Sequence, residues 1–204
     1  TFSVEALSKD FYNKLYNWYL WALSSEVNVT FPNNPNTVKD DRENINIKLI
    51  RMITRLLFVW FIKQKKLIPN CIFDTAYLKS ALTDFDGTSY TNGNYYNAIL
   101  QNLFFATLNC AIIDEEGNPR RFATSKSRRD TRNLYRYKEM FNLSENDILD
   151  LFAHVPFLNG GLFECLDKPK DLYIHQEHDI LFDGFSRNAA KSVNGNYKYR
   201  AFVP

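Results

Sequence analysis

The chain has 204 residues, enough for one domain or a domain with an appendage, and 45% of them are apolar, with 17 Phe and 12 Tyr, which excludes intrinsic disorder as the main state. A net charge of +2, from 25 Lys plus Arg against 23 Asp plus Glu, does not by itself point to nucleic acid. Cys71, Cys110 and Cys165 stand 39 and 55 residues apart with no CxxC pair. That spacing argues against a disulfide framework or a thiolate zinc site and predicts a reducing, cytoplasmic compartment.

The longest strictly apolar run, Leu56 to Ile62, is seven residues, against the roughly 20 that a membrane-spanning helix needs, so no membrane partner is expected. Thr1-Phe2-Ser3 does not open a signal peptide. With no initiator Met and an end at Val203-Pro204, the sequence reads as an excised piece of a larger protein.

In chain order, Val4, Leu7, Phe11, Leu15, Trp18 and Ala22 recur every three or four residues and predict a first helix, with Ser3 as its N-cap. Residues 24 to 37, with Pro32, Pro35 and four Asn, read as a loop. Thr37 and Asp40 have capping-box spacing for a second helix that runs through Ile45, Leu49, Ile53, Leu56 and Trp60 to a stop at Pro69. Its Leu56–Ile62 stretch is apolar on every side, which predicts a central position. Arg55, on that helix, is expected to pair with an acidic neighbour inside the bundle.

Asp74 or Thr75 can cap a short helix containing Leu78 and Leu82. A long helix follows, with Tyr96, Ile99, Leu100, Leu103, Phe104 and Thr107 on one face, and it closes at the turn 114–119. Ser144 to Asp147 form a capping box before a helix that stops at Val155-Pro156. Beyond Pro156, Gly160-Gly161, Gly184 and Gly195 punctuate short apolar pieces, and Asn194-Gly195 is a hairpin signal. The expected fold is mainly α: a helical bundle-like domain over 1–155 and an irregular tail over 156–204 that contains a small β-hairpin, packs on the helical body and leads onward.

Charge is unevenly spread. Residues 118 to 138 hold Arg120, Arg121, Lys126, Arg128, Arg129, Arg132, Arg136 and Lys138 against Asp130 alone, a local +7 that leaves −5 for the rest of a chain at +2. Arg is a forked donor suited to phosphate oxygens, and the interspersed Phe122, Tyr135 and Tyr137 can pack against sugars or bases, so the run fits a DNA-backbone track. A solvated loop accounts for the same residues. Arg136 and Tyr137, nearest the next helix, read as structural.

His175 and His178, spaced i, i+3 near Asp171, Glu177 and Asp179, offer metal ligands in principle and leave a metal-dependent enzyme as an alternative. The HExxH pattern is absent, no Cys stands within ligand spacing, and a polar loop with two histidines is more often simply solvated. His154 fits a helix C-terminus, where a cation favours the dipole. No phosphate loop, GxGxxG, GxSxG or PCxxC signature is present, and Cys165 reads as a core thiol, so no catalytic residue and no cofactor of this chain's own is expected.

Val155-Pro156-Phe157-Leu158-Asn159-Gly160-Gly161-Leu162-Phe163-Glu164 resembles a motif of large bacterial restriction-modification proteins that carry an adenine-specific DNA methyltransferase, the type IIG-like enzymes and related phage-defence methylases. Arg55 to Phe61, Tyr95-Tyr96 with Leu100 to Asn109, Tyr135-Arg136-Tyr137 and Asp183-Gly184-Phe185-Ser186 are similar to that family in the same order, over about residues 11 to 204. The resemblance implies a helical connector between an optional nuclease and the methyltransferase. Double-stranded DNA and those two domains would be its partners, and S-adenosylmethionine, with Mg2+ for a nuclease, would be cofactors of the parent protein. Neither the Asn-Pro-Pro-Tyr tetrapeptide nor a PD-(D/E)xK cluster occurs here, so no catalytic residue carries over. Asn159, Gly160 and Gly161 suit a turn with left-handed backbone, and Leu162, Phe163 and Glu164 either anchor that turn on the core or dock against the methyltransferase.

Overall fold

The apolar spacing near the N-terminus does form a helix, α1, over Val4–Ala22. The computed structural model describes residues 4–27, 29, 31, 42–88, 93–124, 133–158 and 160–166, and the protein is mainly helical. Of the expected stripe, Trp18 and Ala22 turn inward, whereas Phe11 is exposed. The expected hairpin around Asn194-Gly195 and the cap at Thr37 and Asp40 lie outside the described residues.

Helix α2 spans Arg42–Gln64 and buries Leu49, Met52, Arg55, Val59 and Ile62, a stripe of three- and four-residue steps. It ends before Pro69. Lys66 adopts a left-handed φ of 59°, its N–H donates to the Lys63 carbonyl (2.8 Å), and the Leu67 N–H reaches the Ile62 carbonyl (3.3 Å). This is a Schellman closure with lysine at the position usually held by glycine. The expectation that α2 lies at the centre needs correction, because Leu57, Phe58, Trp60 and Phe61 are exposed.

A short 3-10 turn, Asn70–Phe73, leads to α3, Thr75–Ala81. Asp74 is its cap, accepting the Tyr77 N–H on its side chain at 2.8 Å. The Leu82 backbone then bridges Phe141 antiparallel, joining the end of α3 to the chain before α4, Glu145–Phe152. Ser144 and Asp147 close the capping box reciprocally, each side chain bonded to the other residue's N–H at 3.2 Å.

The centre is instead the helix between α3 and α4. Tyr96 to Leu108 are all buried, and the backbone winds as two π-helical runs, Tyr95–Leu100 and Asn102–Leu108, joined through Gln101. In this wider helix the N–H of Gln101 reaches back five residues to the Tyr96 carbonyl, as Asn109 does to Phe104. Polar side chains inside it bond to main-chain carbonyls. Asn97 donates to Gly93 (2.7 Å), Asn102 to Ala98 (2.8 Å), and Thr107 to Asn102 (3.0 Å). Leu49, Met52 and Val59 of α2, Leu78 of α3 and Ile148 and Phe152 of α4 share one apolar cluster with this helix.

Candidate nucleic-acid interface

The basic run leaves the central helix through a turn at 114–119. Asp114 accepts the Asn118 N–H at 2.6 Å, and Gly117 takes a φ of +81° that glycine adopts without strain. The Asn118 N–H is the main influence holding the Asp114 carboxyl below the usual carboxylate range, with Arg121 adding to it. After this turn the chain bends at Arg120, and burial alternates along the next residues. Arg120 and Phe122 point in and Arg121 lies between them, half-buried.

Arg120 is therefore not offered to phosphate. Its guanidinium donates to four carbonyls: Thr107 (2.7 Å) and Cys110 (2.7 and 3.1 Å) at the end of the central helix, and Phe152 (3.3 Å) and Val155 (2.8 Å) at the end of α4. Two helix C-termini, each carrying a partial negative charge, thus converge on one buried cation. Burial lowers the Arg120 pKa from its ordinary value, and the guanidinium remains charged across the physiological range. Arg121 faces Asp114 in a half-exposed ion pair at 3.2 Å.

At the other end of the run, Tyr135 closes the base. Its N–H donates to the Arg121 carbonyl (3.0 Å), its carbonyl accepts the Ala123 N–H (2.9 Å), and its ring lies 5.5 Å from that of Phe122. The Tyr135 hydroxyl shares a hydrogen bond with Thr107 at 2.6 Å, and burial pushes its pKa up to about 12. Arg136 exchanges two backbone hydrogen bonds with the Asn102 side chain (2.8 and 2.9 Å), and its guanidinium sits 5.6 Å from the buried Tyr137 ring. Lys138 pairs with Glu145 on the surface at 2.6 Å.

Lys126, Arg128, Arg129 and Arg132 lie outside the described residues. The two ends of the stretch that contains them are fixed side by side by the Phe122–Tyr135 bridge. His175 and His178 also lie outside the described residues, and His154 is exposed just past α4. Among the described residues no cluster of three His, Cys, Asp or Glu side chains is arranged to hold a metal ion, and no helix is long and apolar enough to cross a membrane.

The second set of candidates, the turn after Pro156, is anchored on the core. Phe163 is buried between Phe58 and Phe104, with ring centroids 5.8 Å from each, and Leu162 is partly buried. Glu164 turns its side chain out while its carbonyl, with that of Leu162, faces Arg55. Arg55 is 2% exposed and donates through Nε to Leu162 (2.7 Å) and through Nη2 to Glu164 (3.0 Å). The Phe105 ring lies 5.0 Å from the guanidinium carbon. These acceptors are backbone carbonyls, where the sequence suggested a carboxylate.

The expectation of left-handed backbone at the glycines is not met. Neither Gly160 nor Gly161 has a left-handed φ, and a Cβ on either would meet nothing within 4 Å. Asn159 lies outside the described residues.

Arg120 and Thr107 are the residues that sequence reasoning misplaced or passed over as a pair. The one signal available was the alternation in Arg120-Arg121-Phe122, which puts Arg120 on the same side as a core phenylalanine. No protein-family model, curated protein or solved structure matches this chain.

Proposed function

We propose that the chain is a non-catalytic helical domain of an adenine-specific DNA methyltransferase of the restriction-modification class. In this reading it connects the active modules and holds the backbone of double-stranded DNA through Lys126, Arg128, Arg129 and Arg132. S-adenosylmethionine, and Mg2+ where a nuclease is present, belong to the parent protein. The ordered series of motifs that ends in Asn159 to Glu164 supports the family reading.

The observation that carries the DNA contact is the pinned base of the basic run. Phe122 and Tyr135 fix both ends on the core, so phosphate contacts made by the four cations between them act on the whole helical body. Arg120 and Arg121 bond within the chain, so the proposed track is assigned to the other four.

The test is the salt dependence of duplex binding by Arg128→Glu/Arg129→Glu. Each phosphate that is no longer neutralised lowers the slope of log affinity against log salt by about 0.9, so the double variant is expected to lose about 2 units. An affinity and slope equal to those of the unaltered chain overturn the DNA contact. A purely structural connector is the second reading. It is favoured by Arg120, Arg121 and Lys138, three of the eight cations in the run, which already have partners within the chain: Arg120 in the core, Arg121 and Lys138 in ion pairs nearer the surface.

A further inference from the structure

Helix α2 is apolar on two opposite faces, and only one of them is covered. Opposite the buried stripe, Ile47, Ile50, Leu57 and Phe61 are each between 37% and 57% exposed, while Phe58 and Trp60 on its flanks pack against Phe163 and Phe73. Ile47, Ile50, Thr54, Leu57 and Phe61 step by three, four, three and four residues, the heptad spacing of a coiled-coil seam. The one polar member fits that seam, because the Thr54 hydroxyl donates to the Ile50 carbonyl of its own helix (2.9 Å). A helix apolar all round is ordinarily buried all round, so the open face marks a partner surface.

The charges beside the seam specify the partner. From Arg42 to Leu67 the sequence holds seven Lys and Arg and a single acid, Glu43. Lys48 and Arg55 are buried, and Lys63, Lys65 and Lys66 gather where the helix ends. Lys65 lies 5.7 Å from the Phe61 ring, against the C-terminal end of the seam, whereas Lys63 lies over the Trp60 and Phe73 rings to one side of it. A second copy of α2 is a poor match. Parallel pairing sets lysine against lysine, and antiparallel pairing sets the lysines against Arg42 and Glu43, which cancel. A lipid surface matches less well, because the cations cluster at one end and the stripe is as narrow as a helix–helix seam.

We propose that the outer face of α2 docks an amphipathic helix from another polypeptide, with an apolar heptad stripe against Ile50, Leu57 and Phe61 and carboxylates opposite Lys65 and Lys66. This surface is separate from the basic run and independent of the DNA reading.

The probes are two synthetic peptides of about three heptads with the same leucine seam, one flanked by Glu and one by Lys, titrated into the full chain and followed by fluorescence anisotropy. The Glu-flanked peptide is expected to bind at least about tenfold more tightly, Ile50→Glu to weaken it by a similar factor, and Lys65→Glu/Lys66→Glu to reverse the preference. These are surface substitutions, and circular dichroism checks that each variant folds. Equal binding of the two peptides overturns the proposal, as does binding of neither. Self-association of the chain that Ile50→Glu abolishes, or tighter binding to phosphatidylglycerol vesicles than to the Glu-flanked peptide, assigns the face to another occupant and also overturns it. Duplex affinity of the same variants is expected to be unchanged, so this outcome and that of the DNA reading are separable.

Discussion

Arg55 and Glu164, 109 residues apart in the chain, are joined by a hydrogen bond of 3.0 Å from a buried guanidinium to a main-chain carbonyl. The same guanidinium holds Leu162 and faces the Phe105 ring, so one side chain of α2 fixes the turn after Pro156 against the central helix. Among the described residues the turn's own backbone hydrogen bonds are Gly160 to Leu158 (2.8 Å) and Phe163 to Gly160 (3.4 Å). Phe163 and Arg55 are what seat it.

Removing that guanidinium leaves two carbonyls without their donors, at about 1–3 kcal/mol for each buried group. Arg55→Met is expected to destabilise the chain by about 3 kcal/mol in urea unfolding. Arg55→Lys recovers only part of this, because an ammonium lacks the planar fork that spans both carbonyls. Hydrogen exchange at Phe163 and Cys165 is expected to accelerate in both variants more than at Tyr96 to Leu108. Unaltered exchange at Phe163 contradicts a clamping role.

Arg120 makes a sharper case, because the charge run alone places it among the DNA contacts. Arg120→Met is expected to cost about 3–5 kcal/mol, since it leaves the carbonyl ends of the central helix and α4 facing a buried apolar group. Arg128→Glu is expected to change stability by less than about 0.5 kcal/mol, in the range of ordinary surface substitutions. Thermal unfolding of the two variants side by side measures the difference, and equal midpoints contradict the assignment of Arg120 to the core.

Tyr135 sets a limit at high pH. Burial raises its folded pKa to about 12, above the roughly 10 of an unfolded tyrosine, so the folded state binds more protons between those values. Its contribution to stability is complete below about pH 10 and is lost as pH rises towards about 12. Tyr135→Phe removes that dependence and also the hydrogen bond to Thr107, at about 1 kcal/mol. Guanidinium unfolding at a series of pH values checks both effects. An alkaline slope unchanged by Tyr135→Phe argues against the assignment.

The elements that the sequence made legible are those fixed by local chemistry. Asp74 and the Ser144/Asp147 pair lie where side-chain oxygens can meet the first N–H groups of a helix, and both form those caps. What escaped was set by distant parts of the chain. The all-round apolarity of Leu56 to Ile62 predicts burial, yet the burial belongs to Tyr96–Leu108, whose Asn97, Asn102 and Thr107 look polar until their carbonyl partners are seen. The π winding has no sequence period to announce it. Counting charge along the run could not reveal that Arg120 reaches Phe152 and Val155, 32 and 35 residues away.

The acceptors that Arg120 holds are dipoles rather than ions, and they are buried. Added electrolyte screens exposed charge pairs within about a Debye length, 8 Å at physiological strength, and reaches buried contacts much less. The helical body should therefore keep its shape as ionic strength rises, so that any loss of the proposed DNA contact on raising salt would report release from an intact protein rather than its collapse.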